Sequence, residues 1–145
     1  MEKEHDIRWQ QRYANYHRII NSLNQELSQK EIGNFSELER SGLSQWFELS
    51  YELMWKLLKD YLEYEEVELG LLSPKNILKT SAEVGLLEKM QVDGEVLVKI
   101  HQARNELTHI YDDEKALAIL KVIQDGYLVE MLKLDAYFGK LMTDE

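Results

Sequence analysis

The chain has 145 residues, the length of one domain, and its 17 basic against 27 acidic residues leave a formal charge of −10. That balance argues against a protein that coats nucleic acid or an anionic membrane, while leaving room for a small local phosphate site. The absence of Cys excludes disulfides, thiolate metal sites and Cys nucleophiles, and one Pro with seven Gly disfavours an all-β or loop-rich fold.

Apolar residues recur at helical spacing almost throughout. Helices are expected near 6–29, 37–64, 74–84, 93–109 and 113–141. The first carries the stripe Trp9, Tyr13, Tyr16, Ile20, Leu23 and Leu27. Ser36 with Glu39 reads as a capping box that opens the second, whose stripe is Leu43, Phe47, Ser50, Met54, Leu57, Leu58 and Tyr61. Ser73-Pro74 reads as N-cap and first helical residue of a short helix, which Gly85 ends in a left-handed conformation. Asp93 and Asp112 are expected caps of the last two helices. Those helices carry Val96, Ile100, Ala103, Leu107 and Ile110, then Ile119, Ile123, Tyr127, Met131, Leu134, Phe138 and Leu141. Four long amphipathic helices and a short one predict an all-α, antiparallel up-and-down four-helix bundle in one domain over 1–145. The first residues hold no apolar signal core and no apolar run reaches membrane-spanning length, so a cytoplasmic protein without a membrane partner is expected. Trp46, Trp55 and Tyr64 exceed what one small core absorbs, and predict a homodimer.

The stretch from Arg104 to Asp113 concentrates ionisable and phenolic groups at a helix end. Arg offers a fixed charge whose fork fits phosphate oxygens, and His moves a proton near neutral pH. Together they suit cleavage of a phosphodiester by its own 2′-hydroxyl, with Arg104 stabilising charge and His109 as general acid or base. Five residues turn a helix by about 500°, so the two side chains lie roughly 140° apart. They converge only if the helix ends between them or a second subunit completes the site. The alternative is structural: Arg and His near a helix C-terminus complement its dipole. His101, Asn105 and His109 share one face; Arg104, Thr108 and Tyr111 share another. A His101–His109 metal pair fails on spacing, and no metal is expected.

On the second helix, Glu48, Glu52, Trp55 and Lys59 form a polar line beside the apolar stripe. It reads either as a solvated face with charge pairs or as a contact surface. Trp55 among charges favours contact, and the two Glu are placed to receive an Arg or an amine from a partner or substrate. Glycine-rich phosphate loops and the Gly-Ser plus paired-Asp signature of a nucleotidyltransferase are absent.

Residues 39–48 (Glu39-Arg40-Ser41-Gly42-Leu43-Ser44-Gln45-Trp46-Phe47-Glu48), Tyr51-Glu52-Leu53-Met54-Trp55-Lys56 and Lys59-Asp60-Tyr61-Leu62 resemble the second-helix signature of the nucleotidyltransferase substrate-binding protein family. Ser73-Pro74-Lys75, Gly85-Leu86 and the run from Arg104 to Asp112 continue the resemblance in order, over about residues 8–138. The family belongs to the HEPN superfamily. The resemblance implies a usually dimeric up-and-down bundle and a partner, a small nucleotidyltransferase from the neighbouring gene. ATP and magnesium would act through that partner, with no cofactor bound directly. The resemblance implies a substrate-binding subunit in a toxin–antitoxin-like pair, with Glu48, Glu52, Trp55, Lys59 and Asn105 as candidate contacts. Its alternative is a metal-independent endoribonuclease toxin that uses Arg104 and His109 (Arg-x4-His) on RNA and is silenced by the partner. Tyr111 matches the tyrosine that some family toxins have adenylylated. Leu97 stands where the family often has Trp.

Overall fold

The computed structural model describes residues 4–110 and 112–144, with side chains from Arg8 onward. Among the described residues every regular element is helical. The long elements are α1 (Glu4–Leu27), α2 (Glu37–Tyr64), α5 (Gly94–His109), α6 (Asp113–Val122) and α7 (Leu128–Asp144). A short 3-10 turn (Ile32–Asn34) follows α1, and α3 (Pro74–Glu83) and α4 (Leu86–Met90) connect α2 to α5.

Local chemistry sets the boundaries. Ser36 accepts from the Glu39 amide while the Glu39 carboxylate accepts from the Ser36 amide, completing the expected capping box. Ser73, Asp93 and Asp112 cap α3, α5 and α6. Gly85 ends α3 at φ 80° but also opens α4, a turn in the stretch between the helices expected over 74–84 and 93–109. Gln91 then closes α4 at φ 58°, a left-handed position without glycine.

The helix expected over 113–141 contains a wide π turn at Ile123–Tyr127. Its buried positions explain why. Leu120 and Ile123 are three apart, Ile123 and Leu128 five apart, then Leu128, Met131 and Leu134 three apart again. A regular helix would present Tyr127 to the core and carry Leu128 aside, and the wide turn exchanges the two. Hence Leu128 is buried, while Tyr127, expected in the stripe, is half-buried. On α5, Leu97 is fully buried where Val96 is half-buried.

The buried side chains form one cluster. Helices α1 and α2 run antiparallel, since Arg8 meets Glu63 at 3.8 Å and Arg12 meets Asp60 at 2.9 Å. Helices α1 and α7 do so too: the Tyr16 hydroxyl donates to the Met131 carbonyl at 2.6 Å, and Trp9 packs on Phe138 with ring centroids 5.8 Å apart. Helix α3 packs on α2 and α5, which places the end of α5 beside the middle of α2.

Candidate functional site

Helix α5 continues through both Arg104 and His109, so the two side chains diverge as the helical offset requires. Arg104 turns toward α2. Its Nη2 donates to Glu52 Oε2 at 2.8 Å, its Nη1 donates to Asn105 Oδ1 at 2.9 Å, and its guanidinium lies 5.4 Å from the centre of the Tyr51 ring. Lys56 approaches the other Glu52 oxygen at 3.3 Å. The cation that Glu52 was expected to receive from a partner or substrate is therefore supplied from within the chain. Burial pushes the Glu52 carboxyl up, but the Arg104 hydrogen bond and the charge of Lys56 outweigh it and hold its pKa below the ordinary value.

The network continues through His101. Asn105 Oδ1 is occupied by Arg104, which turns its Nδ2 to donate to His101 Nε2 at 3.2 Å. That assigns the His101 proton to Nδ1, which donates to the Tyr51 oxygen at 2.6 Å. Burial, Arg104 and Lys75 all disfavour the charged imidazole, so its pKa is lowered. Burial and Glu52 raise the Tyr51 phenol, partly opposed by Arg104. Tyr51 and His101 thus join Arg104, Asn105 and Glu52 in one array. The spacing on α5 pairs His101 with Asn105, but only the tertiary contact with α2 brings in Tyr51.

His109 is exposed at the last residue of α5, on a depression shared with Asn105, Glu106 and Lys115, so Asn105 borders both the array and His109. Thr108, on the Arg104 face, donates its hydroxyl to the Arg104 carbonyl at 3.0 Å. Tyr111 lies outside the described residues.

The polar line on α2 is divided. Glu48 borders a cleft of about 410 Å³ between α2 and the start of α6, together with Glu37, Ser44, Thr108 and Asp112. Arg40 crosses that cleft and donates to Asp113 at 2.8 Å. Trp55, expected on a contact surface, is instead only 8% exposed, part of the core. Lys59 is drawn into ion pairs with Asp60 at 3.1 Å and Glu63 at 3.4 Å. Asp60 is fully buried and also accepts from Arg12, so this cluster ties α1 to α2 rather than facing a ligand. Of the three aromatics expected to be left over, Tyr64 packs against Trp9 and only Trp46 is exposed, at 38%. Among the described residues no group of three or more His, Asp or Glu is arranged to hold a metal ion. No helix there is long and apolar enough to cross a membrane.

Comparison with known protein families matches residues 11–139 to the one described as nucleotidyltransferase substrate binding protein like. Among curated proteins, the probable ribonuclease HepT of Haemophilus influenzae is 32% identical over 101 residues, which cover 64% of this chain and 66% of that protein.

Proposed function

The chain belongs to the nucleotidyltransferase substrate-binding protein family, and from that premise we propose that it is the substrate-binding subunit of a two-component nucleotidyltransferase. Its catalytic partner is a small nucleotidyltransferase encoded by the adjacent gene, which brings ATP and magnesium. The two form a toxin–antitoxin-like pair in the cytoplasm. In this reading the long rods, α1, α2, α5 and α6 with α7, make an up-and-down four-helix bundle that works as a homodimer.

The observation that carries the reading is the family match over residues 11–139. What supports it is that Arg104 is held by Glu52 and leaves the unbroken α5 on a different face from His109, so the two do not converge for chemistry within one protomer. Glu48 then serves as a contact in the carboxylate-lined cleft, where a cationic group of the partner or substrate fits. Asn105 and Glu52 serve through the network that orients Arg104. Mixing the purified chain with the neighbouring nucleotidyltransferase should give one co-eluting complex, and Glu48→Lys should weaken it. Separate elution at tens of micromolar defeats the reading.

A second reading rests on the Arg-x4-His spacing and on the similarity to a probable ribonuclease. Here Arg104 and His109 cleave RNA without metal, each site taking one residue from each of two copies. Tyr111 is the point of control: its hydroxyl gives its proton to water as its oxygen attacks the α-phosphorus of ATP on the partner, magnesium pyrophosphate leaves, and the added phosphate pairs with Arg104. Intact mass spectrometry after incubation with partner, ATP and magnesium should show the added nucleotide on Tyr111. An unmodified chain, or nucleotide on another residue, ends that step.

A further inference from the structure

A cavity of about 740 Å³ opens between α3 and α5 and reaches His101 and Asn105 of the Arg104 array. Its size suits a small organic ligand. Leu78 and Leu87 form part of an apolar floor and are almost fully buried, while Leu71 and Val98 stand at the rim, 75% and 47% exposed. Apart from the His101 imidazole no lining side chain is aromatic, so the cavity offers mainly aliphatic contact.

The charge of the lining is the reverse of the molecule's. In a chain of formal charge −10, the lining holds Lys75 and Lys79 and no carboxylate. Lys79 has one long contact with Glu83, 3.9 Å, both side chains largely exposed, which holds it weakly. Lys75 stands in the first turn of α3, near the positive end of that helix. Lysine presents a point charge on a flexible stem rather than a bidentate fork, which suits a single anionic group of variable position. The opposite wall is His101 and Asn105, the latter already engaged with Arg104. An occupant therefore lies against the same residues that orient Arg104.

We propose that this cavity binds a small amphipathic anion, with an aliphatic body on Leu78, Leu87 and Val98 and a carboxylate or phosphate head between Lys75 and Lys79. The site belongs to this chain alone and stands whatever the nucleotidyltransferase partner proves to do. Calorimetric titration of the purified chain tests it, with decanoate and decyl phosphate as probes below their micelle thresholds and decanol as the neutral control. Both anions should bind at one site, and decanol at least about tenfold more weakly, a gap of roughly 1.4 kcal/mol. The tighter of the two anions identifies the head group.

Lys75→Glu combined with Lys79→Glu should weaken both anions by about tenfold or more while leaving decanol unchanged. Val98→Asp, an exposed position with little bearing on folding, should weaken all three. Absence of anion binding to the wild type, equal affinity for decanol, or unchanged affinity in the charge-reversed variant would each overturn the proposal.

Discussion

At Arg104 three constraints meet: the salt bridge to Glu52, the hydrogen bond to Asn105 and the face of Tyr51. Lysine can replace the charge but not the fork that reaches Glu52 and Asn105 together. Because Arg104 and Glu52 keep about a quarter and a third of their side-chain surface exposed, solvent screens the pair. Arg104→Ala should cost only about 0.5–1 kcal/mol of stability, read as a shift in urea midpoint. A larger loss would mean that the array holds α2 to α5 rather than orienting a functional group.

His101 gives the array a pH dependence. Its folded pKa lies below the ordinary 6.5, so below that value the unfolded chain takes up a proton that the folded chain refuses. The His101 contribution is complete above 6.5 and is lost as the pH falls through the lowered folded value. Glu52, lowered from 4.5, adds a second loss in more acidic solution. Urea midpoints measured between about pH 7 and pH 5 should fall for the wild type and fall less for His101→Gln. Parallel curves would remove His101 as the cause.

Among the elements, the π turn in the last rod carries Gln124. Its side-chain amide donates to the carbonyls of Leu27 at 2.9 Å and Lys30 at 2.8 Å, and its carbonyl accepts from the Ile32 amide at 3.0 Å. One side chain thus satisfies the backbone where α1 ends and the chain turns into α2. Gln124→Ala should cost about 1–3 kcal/mol, since partly buried backbone groups lose their partners. Amide hydrogen exchange at Ile32 should rise in step, and unchanged protection would refute the clamp. At the other end of this rod, a Cβ on Gly139 would lie 2.7 Å from the Tyr13 hydroxyl, which also meets His17 at 3.2 Å. Gly139→Ala therefore forces Tyr13 aside and should destabilise by about 1–3 kcal/mol, measured by thermal unfolding; a neutral effect would show that Tyr13 yields freely.

These elements also mark what a reader of the sequence can and cannot see. Ser36, Ser73, Asp93 and Asp112 act on amides two or three residues away, so their caps are written locally. The stripes of α1 and α2 are likewise local, and all their members are buried. Gln91 at φ 58° is a left-handed position without glycine, and the wide turn before Leu128 breaks an apolar stripe whose spacing is that of a regular helix, so the stripe does not show it. The candidate site divides in the same way. The spacing of Arg104 and His109 fixes their divergence on one helix. That Glu52 would meet Arg104, that Tyr51 would meet His101, and that Trp55 would turn inward all depend on how α5 lies across α2.

For the whole molecule, the separation of Arg104 from His109 turns the ribonuclease reading into a claim about assembly. In that reading a phosphodiester touched by both spans two copies, because the unbroken helix carries the two side chains roughly 140° apart. In a two-fold dimer with composite sites, each site takes Arg104 from one subunit and His109 from the other. Arg104→Ala and His109→Ala, prepared separately, should each lose about 10²–10⁴ in the rate of cleaving a single-stranded RNA, with a chelator present throughout. When the two variants are mixed and allowed to exchange, half of the dimers are mixed, and each carries one intact site of two. The mixture should therefore recover about a quarter of the wild-type activity through subunit exchange alone. If each variant still dimerises and the mixture stays inactive, the two residues do not act across an interface. If the wild-type chain leaves the RNA uncut, the ribonuclease reading falls, and the acidic cleft at Glu48 and the Arg104 array stand as the surface that the substrate-binding reading uses.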